Sequence, residues 1–207
     1  SAALARDVKV THSKSLYMAM PREMLKRIQR TPAEIECLLL VGHNPESTAF
    51  MRVRLEIIRR DEPKARLAHR WVPYNRISSH LKRAVIAAED DKFVDHAGFD
   101  WEAMKKAHER NVKEGEIVLG ASTISQQFVK NLFLFSQCAW WRKAQEAVVT
   151  VLLEAMLPKQ RIFELYLNVI EWGNGVFGAE AAAQRYFGVS AAQLSAEQAA
   201  RLAAMTP

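Results

Sequence analysis

Residues 161–188 read RIFELYLNVIEWGNGVFGAEAAAQRYFG. Ile162, Leu165, Tyr166 and Val169 recur at the i, i+3, i+4, i+7 spacing of one helical face, which predicts a helix over 161–172 with its apolar stripe inward. Upstream, residues 140–157 predict a longer helix, whose apolar stretch 147–157 is interrupted by Glu154. Arg142 and Glu146 stand at i, i+4 on it. By spacing alone that pair fits a surface ion pair contributing about 0.2–0.5 kcal/mol. Downstream, Ser190-Ala191-Ala192-Gln193 and Ser195-Ala196-Glu197-Gln198 have the capping-box form ahead of an Ala-rich C-terminal helix. Helix signals prevail from Pro63 onward, so the fold class is mainly α.

Before these helices, Leu81, Ala84, Val85 and Ala88 form another helical apolar face, followed at once by Glu89, Asp90 and Asp91. Carboxylates near a helix C-terminus oppose the macrodipole at a cost of about 0.3–1 kcal/mol each, so the placement calls for a functional explanation. Asp100-Trp101-Glu102 opens a further helix through Ala107, and EGEIVLGAS (114–122) reads as a loop. The polar run 122–127 precedes Phe128, Val129, Leu132 and Phe133 at helical spacing. A helix start of that kind offers unpaired N–H groups suited to phosphate or pyrophosphate. In the first third, ECLLLVG (36–42) reads as a buried strand, preceded by a capping box at Thr31-Pro32-Ala33-Glu34 and apolar periodicity over 21–28. Together these predict a short α/β fragment ahead of the helical region.

The 207 residues suffice for one substantial domain plus a fragment, and 49% hydrophobic with 25% charged residues is globular composition, which excludes a disordered or fibrous chain. A net charge of +6 is compatible with nucleic acid, an anionic membrane surface or a phosphorylated substrate, and does not choose among them. The two cysteines, Cys37 and Cys138, have no metal-ligand spacing and suggest no disulfide framework. No stretch approaches the roughly 20 apolar residues of a membrane span, and the N-terminus lacks the blocks of a secretory signal. Phe133 to Phe135 and the pair Trp140-Trp141 are candidates for a bilayer interface or for the core.

Two carboxylates on different helices, a polar loop between them and nearby cations suit sugar chemistry, where one acid moves a proton and the other handles developing charge. The strings EDDKFVDHAGFD (89–100), GASTISQQFVKN (120–131), RKAQE (142–146) and RIFELYLNVIEWGNGVFGAEAAAQRYFG (161–188) occur in the order seen in glycosyltransferase family 51. From about Pro45 to the C-terminus, through STAFMRVRL and WVPYNRIS, the chain resembles that family's monofunctional peptidoglycan glycosyltransferases. The resemblance implies a lysozyme-like glycosyltransferase fold, with a head and a small membrane-dipping jaw enclosing a groove. It implies an undecaprenyl-pyrophosphate sugar donor and the polymerisation of lipid II into a glycan strand with inversion.

Carried over by motif position, Glu89 is the expected catalytic base and Glu146 the second catalytic acid, acting near the pyrophosphate directly or through a divalent cation, Mg²⁺ or Mn²⁺. Lys130, Arg142 and Lys143 match phosphate-holding cations, and Ser122, Thr123, Gln126 and Gln127 match polar residues of the substrate groove. Asp90 and His96 fall on motif positions with supporting roles; Asn168 and Glu171 belong to a motif whose role is largely structural. Expected partners are lipid II, the glycan strand, the membrane surface and cell-wall synthesis or division proteins, with no nucleic acid. The expected location is the periplasmic face of the bacterial inner membrane.

Residues 1–44 resemble instead the latter half of small phosphohistidine phosphatases of the histidine phosphatase superfamily, with His43 on the GHNP position. That superfamily's Arg-His-Gly nucleophile motif is absent, so phosphatase activity is not expected. The domain reading is therefore a non-functional fragment over 1–44 and a glycosyltransferase domain over 45–207 that lacks the family's C-terminal continuation. A lysozyme-like hydrolase and an inactive lipid II or membrane-binding remnant are the alternatives.

Overall fold

The computed structural model describes residue 37 and residues 39–116, 120–133 and 139–206, with the backbone alone for 139–142. The helix and capping box expected over 21–34 lie outside the described residues. From Ala49 onward eight α-helices follow one another: α1 (Ala49–Asp61), α2 (Ser79–Glu89), α3 (Trp101–Glu114), α4 (Ile124–Phe133), α5 (Ala139–Met156), α6 (Lys159–Val169), α7 (Ala179–Phe187) and α8 (Ala196–Ala203). Three short strands, β1 (Ala68–His69), β2 (Glu171–Gly173) and β3 (Val176–Phe177), make one sheet in the order β1-β3-β2, with β1 parallel and β2 antiparallel to β3.

Helix α6 is the axis of the core. Ile162, Phe163, Leu165, Tyr166, Leu167, Asn168 and Val169 are all buried, so the helix is largely covered beyond its first turn, and it packs against α4, α5 and α7. Each fully buried Leu, Ile or Phe contributes about 1.5–3 kcal/mol, which makes this the principal apolar investment of the fold. The helix ends at Val169, three residues before the expected limit. Trp172 stands in β2 instead, because Asn174-Gly175 turns the chain into a hairpin and Gly175 takes φ +72°. Glu171 fixes that hairpin: it accepts the N–H of Gly175 at 3.0 Å and the Nε–H of Arg54 on α1 at 2.8 and 3.0 Å.

Asn168 joins the core to the segment before α2. Its Oδ1 accepts from Val72 N at 2.8 Å, and its Nδ2 donates to Val72 O at 2.9 Å and to Glu164 O at 2.8 Å. The amide thus substitutes for a strand neighbour where no strand reaches. The backbone carbonyl of Asn168 accepts the Nε2–H of His69 at 3.0 Å, and burial lowers the His69 pKa, so the ring enters this bond neutral. Gly178 lies against the same carbonyl; a Cβ there would come within 2.7 Å of it, at a φ of +83° that side chains rarely adopt.

The expected strand over 36–42 is a correction. Cys37 and residues 39–42 are helical, with Cys37 and Leu40 buried and Val41 exposed. A short apolar run reads the same in a buried strand and in a buried helical turn, and here the i, i+3 pair Cys37 and Leu40 meets the core. Arg161 of α6 pins this turn by donating to Leu40 O, His43 O and Asn44 Oδ1, each at 2.9 Å. The described end of the expected fragment is therefore docked on the helical domain. Helix α3 is about two turns longer than expected and stops at Gly115 in the left-handed region, with Asp100 as N-cap. Both C-terminal capping boxes form: the first opens a 3₁₀ turn at Ala191–Gln193, the second opens α8.

Candidate active site

Glu89 is the last residue of α2 and is half-buried. Its Oε2 accepts from Gln127 Nε2 of α4 at 2.8 Å. Gln127 Oε1 in turn accepts from the Tyr166 hydroxyl of α6 at 2.9 Å. Burial, with the charges of Glu89 and Asp90 next, pushes the Tyr166 phenol far above its ordinary pKa, so its O–H remains a donor. That fixes the amide: the oxygen faces the phenol and the NH₂ faces the carboxylate, since the flipped amide would set oxygen against oxygen. The other carboxylate oxygen, Oε1, lies against the Thr206 hydroxyl just beyond α8. Three helices and the segment after a fourth therefore define one carboxylate.

Asp90 resolves the acidic helix end that the sequence left unexplained. Its Oδ2 accepts the N–H of Ile124, the first residue of α4, at 3.0 Å, and its Oδ1 accepts from His96 Nε2 at 2.9 Å. An acid that opposes the dipole of α2 thus sits at the favourable end of α4. His96 Nδ1 accepts from Gly98 N at 3.1 Å, which leaves the ring proton on Nε2, facing Asp90. Asp90 and His96 order the loop between α2 and α3 and the start of α4.

The same bonds correct the expectation of an open phosphate-binding helix start. Ile124 N is taken by Asp90, and Thr123 and Gln126 form a reciprocal capping pair at 3.3 and 3.0 Å. Thr123 also donates to Gly98 O at 2.7 Å. Both side chains are buried and committed within the protein, whereas Gln127 is half-buried beside Glu89 and Ser122 is exposed. Within the expected groove set, Gln127 is therefore the residue placed at the carboxylate.

Glu146 of α5 is buried, at 5% exposure, and is no surface acid. The i, i+4 pairing with Arg142 concerns a side chain outside the described residues. The described partner is Lys143, whose Nζ donates to Glu146 Oε1 at 2.5 Å while its own side chain stays 53% exposed. A buried carboxylate beside a solvent-reaching ammonium suits an anionic substrate better than it suits stability, since such pairs contribute at most about 1 kcal/mol. Lys130 is exposed on α4, three residues past Gln127, with no ion pair among the described residues. Glu89, Asp90, His96, Thr123, Gln126 and Gln127 share one hydrogen-bonded region, and Glu146 with Lys143 stands on α5, which packs against α4. Of the aromatic candidates for a membrane interface, Phe133 is described and packs against the core.

Two features escaped the sequence reading. Tyr166 read as one member of an inward apolar stripe, and only its contact with Gln127 reveals a polar task. Glu154, an acid in an apolar helix, takes a hydrogen bond from Ser125 and one from Lys159 Nζ at 2.8 Å, tying α5 to α4 and to the start of α6. Its position was visible as an interruption of the apolar run; its partners were not. Tyr166→Phe is expected to keep the core, release the Gln127 amide and lower turnover about tenfold, on the scale set by misplacing a catalytic group. Steady-state kinetics beside a thermal melt checks this; unchanged turnover would remove Tyr166 from the site.

The family description "Transglycosylase" matches residues 56–207. A biosynthetic peptidoglycan transglycosylase of Methylobacillus flagellatus is 64% identical over 167 residues, 81% of this chain and 73% of the relative. Proteins of the same description from Janthinobacterium sp. (strain Marseille) and Dechloromonas aromatica are 60% identical over 167 residues and 62% over 164, covering 81% and 79% of this chain and 72% and 71% of their own. The matched residues 56–207 include every helix that bears on Glu89 and Glu146, and the chain belongs to the transglycosylase family.

Proposed function

We propose that this chain is a peptidoglycan glycosyltransferase that polymerises lipid II into β-1,4-linked glycan and releases undecaprenyl pyrophosphate. The observation that carries the reading is the Glu89 carboxylate, accepting from an amide whose orientation Tyr166 imposes. Such a carboxylate is presented as a proton acceptor. Glu89 takes the proton of the acceptor's GlcNAc 4-hydroxyl as that oxygen bonds to the donor's anomeric carbon and the bond to pyrophosphate breaks, with inversion. Lys130, Arg142 and Lys143 offset the charge that develops on the leaving group.

Glu146 acts on the pyrophosphate side. Among the described residues no three His, Cys, Asp or Glu side chains gather as a metal nest. One carboxylate suits a Mg²⁺ or Mn²⁺ ion that brings most of its oxygen ligands from the pyrophosphate and water. When bound, that cation supplies electrostatic stabilisation of the leaving group. The substrate's lipid requires a membrane surface, and the reading places the chain on the periplasmic face of the inner membrane with other cell-wall synthesis proteins as partners. No helix among the described residues is long and apolar enough to cross a membrane.

Labelled lipid II in detergent with Mg²⁺ or Mn²⁺ tests the proposal. Long glycan with release of lipid pyrophosphate is the expected product. Soluble fragments cut from preformed glycan without any lipid donor would replace it with hydrolysis, and binding without turnover in a well-folded chain would replace it with a non-catalytic role.

A further inference from the structure

We infer that Thr206 is a positioning residue for Glu89, holding the carboxylate from the side opposite Gln127 and reversing its hydrogen bond when Glu89 gains a proton; this rests on the reading of Glu89 as the base. Helices α2 and α8 run side by side in the same direction. Their starts are joined by the Ser78 hydroxyl, which donates to Leu194 O at 2.9 Å, and their ends meet where the Thr206 hydroxyl reaches Glu89. Leu81 and Val85 on α2 and Ala199, Leu202 and Ala203 on α8 are buried, so the side chains committed to the core belong to both helices. The chain then leaves α8 in a tight turn, with Met205 N donating to Leu202 O at 2.8 Å. Thr206 is presented from a rigid base.

The hydroxyl of Thr206 has two acceptors in reach, Glu89 Oε1 and Ala203 O, the latter at 2.6 Å, and a single proton to give. While Glu89 is a carboxylate, that proton serves it. Once Glu89 has taken the acceptor hydroxyl's proton, the acid O–H can donate to Thr206 Oγ1, and Thr206 donates to Ala203 O. Both states are hydrogen-bonded without movement of either backbone. Gln127 cannot do this, because its NH₂ only donates. A group that satisfies the carboxylate before transfer and the carboxylic acid after it leaves no partner stranded as charge leaves Glu89.

Thr206→Val keeps the shape and removes the hydroxyl, while Thr206→Ser keeps the hydroxyl. In full-length chain with lipid II, Thr206→Val should lower kcat about tenfold with KM within about twofold, and Thr206→Ser should restore kcat, as expected for a group that orients a base and does not bind substrate. In the protein alone, the ¹³C resonance of the Glu89 carboxyl should move in Thr206→Val and return in Thr206→Ser. Parent-like kcat in Thr206→Val, a faster variant, an unmoved resonance, or equal losses in both variants with a lowered melting midpoint would each overturn the inference. Glu89→Gln separates the two levels: if it stays active the base assignment falls, and if it is inactive while Thr206→Val is normal only the role of Thr206 falls.

Discussion

Glu89→Gln is expected to lower lipid II polymerisation by about 10³-fold, the scale of a positioned general base, with circular dichroism and melting midpoint unchanged. The fold should tolerate the change because the amide fits the same contacts. Its oxygen can accept from Gln127 Nε2, and its NH₂ can donate to Thr206 Oγ1, which then donates to Ala203 O. What the amide cannot do is take up a proton from the attacking hydroxyl. A loss confined to kcat would match a step made only in the transition state, whereas a rise in KM alone would mark Glu89 as a binding residue. Activity within tenfold of the parent would end its assignment as the base.

Asn168→Ala should have the largest effect on stability, about 3–5 kcal/mol. The side chain is wholly buried and satisfies both the N–H and the C=O of Val72, besides donating to Glu164 O. Truncation strands two backbone groups at about 1–3 kcal/mol each and removes buried side-chain volume. Asn168→Asp should cost nearly as much, because a carboxylate has no proton for Val72 O. Urea denaturation read by fluorescence, with the m value checked for constancy, measures both. A shift below about 1 kcal/mol in Asn168→Ala would mean that water replaces the amide.

Helix α6 was legible because its apolar residues repeat with the helix period, α4 and α5 for the same reason, and α8 from the capping box ahead of it. Trp172 was misplaced on a helix because the periodicity was followed past Val169, although Asn174-Gly175 carried a hairpin signal. The turn at 37–42 was misread as a strand because six apolar and small residues carry no period long enough to separate the two states. At the site, Glu89 and Asp90 were legible as acids set against the dipole at a helix end, whereas Glu146 read by spacing as a surface ion pair and was legible only through its motif. Gln127 was legible only as one of several polar residues. Nothing local distinguishes it from Gln126, yet Gln126 caps its own helix and Gln127 faces Glu89.

The sequence by itself determined the helical class, the helix register and the set of chemical groups available, because periodicity, capping and residue chemistry act over a few residues. Only the tertiary structure decided which of those groups meet. Asp90 reaching the start of α4, Tyr166 orienting an amide on another helix, and Thr206 closing on a residue 117 positions earlier are contacts between segments whose separation along the chain carries no local signal. They exist because packing of buried faces places α2 beside α8 and α4 beside α6, and hydrogen-bonding groups at those seams then find their partners.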